Sequence, residues 1–326
     1  MIGAVYGRLA QLRRSWYDAR PHARARLTRP VISVGNLVVG GSGKTPIVAA
    51  LARLLVARGE RPAVLTRGYA RRRHTDGVLV VSDRTGLRAG VEASGDEPQM
   101  LARALPGVPV LVSPDRYLAG RLAERQFDAT VMLLDDAFQH VKLARTVDLL
   151  VVAPADLDDR VLPSGRLREP LDAARAADAV LVYGTLDDAH RVQAALGVGA
   201  AFAVSRRYGA IRTIRGPEPN GGRRALALAG IGRPDRFFRA VGENGFEVAG
   251  ELAFRDHHWF TAGDVDRAID RARSVAADVI VTTEKDAVRL ERVLQPGDAG
   301  VPWAVLPMDV AIEPADEFAA WLQGRL

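Results

Sequence analysis

The sequence predicts an α/β protein: a mainly parallel sheet with helices on both faces, followed by a second, smaller α/β domain. Three observations predict it. From residue 30 onward, short β-branched runs alternate with helical patterns. A glycine-rich loop lies directly between one such run and the helix after it. The alternation stops at about 205–224 and then restarts on a smaller scale.

Residues 1–29 form a leading segment in which Ile2, Val5, Tyr6, Leu9, Leu12 and Trp16 recur at helical spacing among arginines. Two readings are open: a basic amphipathic helix lying on an anionic membrane surface, or a helix packed on the protein with a solvated basic face. Residues 30–205 follow as the first domain. PVISVG (30–35), PAVLT (62–66), VLVVS (78–82), PVLVS (109–113), ATVMLLD (129–135), VDLLVVA (147–153) and DAVLVY (178–183) read as buried strands. Between the first two lies a helix over 46–58, with Pro46 in its first turn and Gly59 stopping it. Residues 206–224, with the turn-rich GPEPNGG (216–222), read as a linker. The second domain, 225–326, begins with ALALAG (225–230). A helix after Pro234, a helix near 261–276 and the strand DVIVTT (278–283) follow.

Composition narrows the class. The chain has 326 residues, 48% of them hydrophobic and 26% charged, and no cysteine, so a disulfide scaffold, a thiolate nucleophile and wholesale disorder are excluded. No run approaches the roughly 18 apolar residues of a membrane-spanning helix. The pI near 10 suggests nucleic acid until the charge is located. Residues 1–30 carry seven arginines and one acid, which accounts for the whole net charge of +6. A nucleic-acid partner is therefore not expected.

The strongest chemical signal is VVGGSGKTP (38–46) between a strand and a helix. Such a loop turns backbone N–H groups toward a phosphate chain at the positive end of the next helix. Gly40, Gly41, Ser42 and Gly43 would line it, Lys44 would neutralise phosphate oxygens, and Thr45 would ligate Mg²⁺. Val38 occupies the first glycine position of the strict P-loop pattern. VMLLDD (131–136) ends a buried strand in two carboxylates, so Asp135 is a candidate Mg²⁺ partner with Asp136 beside it. The three lysines, Lys44, Lys142 and Lys285, all lack the neighbours of a guanine-reading N-K-x-D motif, which favours ATP.

Other residues carry two readings each. Asp96 in GDEP (95–98) is either a helix N-cap or a base at the mouth of the nucleotide site. Arg168 and Glu169, closing LPSGRLREP (162–170), either meet phosphoryl oxygens and a metal or form a surface pair. His140 in DDAFQH and His257–His258 in RDHHW are placed beside acids. Arg67, Arg71, Arg72 and Arg73 surround Gly68-Tyr69 in a loop that either holds a substrate phosphate or is a solvated charge run.

Taken together, VGNLVVGGSGKTP, LTRGYARR, GDEP, LLDDAFQH, LPSGRLREP, GIGRPDRFF, FRDHHWF and TTEKDAVRL occur in an order and spacing that resembles the tetraacyldisaccharide 4'-kinases of lipid A biosynthesis. The resemblance spans nearly everything beyond residue 30. It implies a P-loop NTPase-like kinase that moves the γ-phosphoryl of ATP to the 4'-hydroxyl of a lipid disaccharide 1-phosphate, peripherally at the cytoplasmic face of the bacterial inner membrane. It implies Asp96 as the base with His257 as its partner, and Asp135, Asp136, Arg168 and Glu169 at phosphoryl and metal positions. It also implies domains joined by a β-ribbon to which the last strand could return. Ala137 departs from the family's usual Gly, and Ser164 and Arg166 from its Ala and Pro; small effects on rate are expected. A regulatory ATPase or metallochaperone-type NTPase is the competing reading: it would share 31–46 and 129–136 but not need RDHHW.

Overall fold

The computed structural model describes residues 2–41, 43–218, 221–295 and 300–326, with side chains from residue 6 onward. Its first half runs α1 (Ile2–Asp18), β1 (Val31–Asn36), α2 (Lys44–Ala57), β2 (Pro62–Thr66), β3 (Leu79–Asp83), β4 (Gly86–Leu87), α3 (Val91–Ser94), α4 (Asp96–Ala104), β5 (Val110–Val112), α5 (Arg116–Gln126) and β6 (Val131–Asp135). Then come β7 (Val147–Val152), β8 (Ala179–Tyr183), α6 (Leu186–Leu196), β9 (Ala201–Tyr208), β10 (Arg212–Arg215) and β11 (Arg224–Ala229). The chain closes with α7 (Pro234–Glu243), β12 (Glu247–Ala253), α8 (Ala262–Ser274), β13 (Val279–Thr282), α9 (Glu284–Leu290), β14 (Trp303–Val305), β15 (Met308–Glu313) and α10 (Ala315–Gln323).

The larger sheet has the order β15-β9-β8-β7-β1-β6-β2-β5-β3-β4. From β9 to β5 every pair is parallel, and antiparallel strands close both edges. The central strands β1, β6 and β7 are buried at every position, because helices cover both faces and leave no polar side to alternate with. On one face Ile32, Val34, Leu133 and Leu149 pack with Ile47, Leu51 and Leu55 of α2 and Leu101 of α4. On the other face, Met132 and Leu134 pack with Ala119 and Ala123 of α5, while Leu150 and Val180 pack with Val192 and Leu196 of α6. The smaller sheet has the order β10-β14-β13-β11-β12 and is parallel except at β10–β14.

The connection differs from a simple linker. The expected boundary at 205/206 falls inside β9, and part of the expected 206–224 linker is strand β10. β15 leaves the smaller sheet and pairs antiparallel with β9, from Met308 opposite Tyr208 to Glu313 opposite Ala203. α10 then buries Phe318 and Leu322 in the same core as Ile32, with Phe202 edge-on to Phe318 and Trp321. Residues 308–323 of the expected 225–326 unit therefore complete the larger sheet. Pro219 and Asn220 of the turn-rich stretch lie outside the described residues.

Candidate active site

The glycine-rich loop is held from behind. A Cβ on Gly35 would lie 2.4 Å from Cβ of Phe138, so only glycine lets the end of β1 approach the turn after β6. Val39 N–H donates to Arg166 O at 2.8 Å and Arg168 N–H to Leu37 O at 2.6 Å, so the LPSGRLREP loop braces the cradle. Gly43 takes a left-handed conformation (φ 78°) and caps α2 without any side-chain bond to the helix amides. The Tyr183 hydroxyl donates to Gly43 O at 2.8 Å. Side chains added at Gly40 or Gly41 would meet nothing within 4 Å, so an open space adjoins the positive end of α2. Ser42 lies outside the described residues.

Lys44 Nζ reaches Asn36 Oδ1 at 3.0 Å and Asp136 Oδ1 at 3.2 Å. Arg168 Nη1 donates to both oxygens of Asp136, at 3.1 and 3.0 Å. Burial opposes the Asp136 charge, but Lys44 and Arg168 outweigh it and hold the carboxyl below its usual range. Asp135, at the tip of β6, is wholly enclosed and its Oδ1 has no hydrogen-bond partner. Burial above all, then Glu97 and Asp136, pushes its carboxyl up to about 7. An enclosed carboxylate oxygen without a partner near Lys44, a glycine at the N-cap of α2 and the buried Thr45 together suit a metal-bound triphosphate. The methyl of Ala137, where the family has Gly, is accommodated in the core beside Leu134.

Glu169 has a different partner from the expected metal. Arg14 of α1 donates to Glu169 Oε2 from Nε at 3.0 Å and to Phe138 O at 3.1 Å, with its guanidinium 4.3 Å from the Phe138 ring centre. The pair is almost fully buried, so Glu169 serves as an anchor for α1. Gly7 faces Pro170 on the same side of that helix. Tyr6, Leu9, Leu12 and Trp16 lie on the opposite side and are exposed, Leu9 and Leu12 by 62% and 65%. The helix is thus packed on the protein, as one of the two readings has it, and leaves an apolar stripe exposed on its other side.

Asp96 is the first residue of α4. Gly95 is the N-cap position, and no side chain caps the helix, so the N-cap reading of Asp96 does not hold. Asp96 is almost completely buried, and its Oδ2 meets His257 Nδ1 at 3.0 Å and Arg289 Nη2 in a close ion pair. Lys285 Nζ lies 3.8 Å from the same oxygen. Burial alone would raise this carboxyl, but the His257 hydrogen bond, Lys285 and Arg289 overcome it and hold it low. Asp96 belongs to the larger sheet's lobe, and His257, Lys285 and Arg289 to the smaller. A Cβ on Gly232 of the smaller lobe would lie 3.2 Å from Asp256 Oδ2 and 4.0 Å from Gly41 N, so the loop and the residues around Asp96 meet at one junction between the lobes.

Sequence reasoning missed Arg289, Lys285 as a partner of Asp96, and Arg14. The available signal was the basic pair four residues apart in TTEKDAVRL, which also fits an ordinary helix surface. The other histidines take separate roles. His140 is pushed down to about 4 by burial, then by Arg116 and Arg145, and is neutral at physiological pH. His258 bonds Asp264 at 3.0 Å, within a capping box at the start of α8. In the basic loop, Arg72 stacks on Trp259 at 4.3 Å and Arg73 pairs with Glu92 at 3.2 Å. Arg71 keeps a buried Nη1 without a partner, and Arg67 is exposed.

The chain is similar to known proteins along its whole length. The family model described as tetraacyldisaccharide-1-P 4'-kinase (LpxK) matches residues 1–326. A tetraacyldisaccharide 4'-kinase of Geobacter metallireducens is 39% identical over 303 residues, covering 90% of this chain and 88% of the relative. One from an Anaeromyxobacter species is 42% identical over 296 residues, covering 86% and 79%. The crystal structure of LpxK from Aquifex aeolicus in complex with ATP superposes with a TM-score of 0.78 at 31% identity, covering 99% of this chain and 97% of that one.

Proposed function

The chain belongs to the tetraacyldisaccharide-1-phosphate 4'-kinase family and is an ATP-dependent kinase of lipid A biosynthesis that phosphorylates the 4'-hydroxyl of a tetraacyldisaccharide 1-phosphate; from that premise we propose how its residues divide the work. The amides of Gly40, Gly41, Ser42 and Gly43 cradle the phosphates of ATP at the start of α2, and Lys44 neutralises the terminal oxygens. Thr45 and Asp135 would hold Mg²⁺, which would supply positive charge to offset that of the phosphates. Arg168, steered by Asp136, meets the transferring phosphoryl group.

Asp96 is the general base. The 4'-hydroxyl gives its proton to the carboxylate as its oxygen bonds the γ-phosphorus, and the bond from that phosphorus to the bridging oxygen breaks. ADP and the 4'-phosphorylated lipid leave, and Asp96 releases its proton to solvent. The observation that carries this assignment is a buried Asp96 at the junction of the lobes near the loop, with one oxygen held by His257 and Arg289 and the other unpartnered. Arg67 and Arg71 receive the 1-phosphate already on the substrate. The exposed stripe of α1 lies on the cytoplasmic face of the inner membrane, where it presents the junction of the lobes to lipid headgroups; no helix among the described residues is long and apolar enough to cross a membrane.

The test supplies purified protein with ATP, Mg²⁺ and tetraacyldisaccharide 1-phosphate and locates the new phosphate by ³¹P–¹H correlation. Phosphate on the 4'-oxygen, with ATP turnover dependent on lipid, is expected. Equal ATP hydrolysis without lipid would instead support an ATPase with no lipid acceptor.

A further inference from the structure

We infer that Lys285 and Arg289, one turn apart on α9, are positioning residues for the base: they fix the proton of His257, hold Asp96 by Oδ2, and reserve Asp96 Oδ1 for the substrate hydroxyl. The inference rests on the assignment of Asp96 as base and goes beyond it in naming the atom and the groups that prepare it.

The hydrogen-bond inventory carries the argument. A lysine ammonium has donors and no acceptor. Lys285 Nζ lies 3.3 Å from His257 Nε2 and 3.1 Å from Asp256 Oδ1, so Nε2 must present its lone pair to the ammonium. A neutral imidazole that accepts at Nε2 carries its proton on Nδ1. That Nδ1 is the atom 3.0 Å from Asp96 Oδ2. Lys285 therefore selects the tautomer in which His257 donates to the base. The His257 backbone is itself held in the left-handed region (φ 59°), with its N–H donating to Gly230 O at 3.2 Å. Tyr69 packs edge-on to the ring at 5.3 Å.

Arg289 completes the arrangement. It is as deeply buried as Asp96, and its Nη2 donates to the same Oδ2 as His257 Nδ1; the 3.0 Å between Nη2 and Nδ1 separates two donors that share this one carboxylate acceptor. Its Nη1 donates to His258 O at 3.3 Å, and its guanidinium lies 5.5 Å from the Trp259 ring centre, which fixes its direction. The donors around Asp96 thus converge on Oδ2, and Oδ1 is buried without a partner. A buried carboxylate with one saturated and one bare oxygen is prepared to accept a single proton at the bare one. The charged groups facing this cluster are His257, Lys285 and Arg289 from the smaller lobe, with Glu97 on Lys285, Asp256 on Lys285 at 3.1 Å and more distantly on His257 Nε2 at 3.8 Å, and the buried Asp286 of α9 near both cations. Since the cations come from the smaller lobe and the acid from the larger, the base is fully prepared only when the lobes meet.

At saturating Mg²⁺ and ATP, so that Asp135 does not set the profile, the experiment measures kcat/KM for the lipid across about pH 3 to 9 for wild type, Arg289→Gln, Arg289→Lys and Lys285→Met. Removing a cation lets the Asp96 pKa rise, so the acid limb must move to higher pH: by about one unit in Arg289→Gln, and in the same direction by less in Lys285→Met. Arg289→Lys should return the limb close to wild type. A loss of packing alone would lower the rate at every pH and leave the limb where it was; that result overturns the inference, and Lys285→Met alone decides it if Arg289→Gln does not fold. In protein labelled with ¹⁵N-histidine, the His257 ring should read as the Nδ1–H tautomer in wild type and as a mixture in Lys285→Met. An Nε2–H ring in wild type also overturns it. Asp96→Asn separates the two levels: full turnover there removes the base itself, whereas an inactive Asp96→Asn with an unmoved limb in the α9 variants removes only this inference.

Discussion

Asp135 illustrates how a residue's environment reports a missing charge. Its carboxyl is enclosed and one oxygen is bonded by none of the described residues, so burial outweighs the help of Lys44 and Arg116. Because its folded pKa is raised from 3.8 to about 7, the penalty is absent below the lower value, grows as pH rises, and is complete above the upper one. Asp135→Asn should therefore stabilise the protein in EDTA at about pH 8 by about 1–3 kcal/mol, as read from urea midpoints. The gain should vanish near pH 4, and turnover should fall at least ~10²-fold. A variant less stable than wild type at pH 8 would contradict the reading of Asp135 as a site awaiting a cation. Lys44, Thr45, Asp135 and Asp136 were legible in the sequence because each lies in a contiguous stretch at a strand tip. Arg289 and Arg14 were not, because their carboxylate partners are 193 and 155 residues away.

Among the elements, α1 has a docked face and an exposed face proposed to meet the membrane, which its sequence pattern could not separate. The spacing of Tyr6, Leu9, Leu12 and Trp16 made the helix visible, but the face that docks is set by Arg14 and Gly7, which carry no apolar signal. The two faces should respond independently to mutation. Leu9→Glu with Leu12→Glu should abolish sedimentation with anionic vesicles and leave the unfolding transition unchanged. Arg14→Met should leave Glu169 buried without its partner and cost about 3–5 kcal/mol, because the pair is shielded from solvent. Vesicle binding unaffected by the two glutamates, or equally strong to neutral and anionic lipid, would remove the membrane role or its electrostatic part. The GDEP segment shows a similar limit. Its acid sits at a helix start, as an N-cap would, but points across the junction to a partner in the other lobe.

At the scale of the molecule, the parallel core was readable because fully buried strands are continuous apolar runs. The return of the last strand was expected only from the family resemblance, not from the apolar pattern. Val310, Ile312, Phe318 and Leu322 are equally apolar whichever sheet they join, and only the pairing of β15 with β9 decides it. The chain thus passes from the larger lobe to the smaller and back, a double connection that holds the loop and α9 on opposite sides of the junction between them. The central claim is that Asp96, prepared from the far lobe, accepts the proton of the alcohol, while the loop around Lys44 holds the nucleotide. Rapid chemical quench on Asp96→Asn, with ATP affinity measured in parallel, tests it most directly. ATP should bind within about twofold of wild type while the phosphoryl-transfer step slows by about 10²–10⁴. A transfer step as fast as wild type, or a loss traced wholly to ATP binding, would contradict the account.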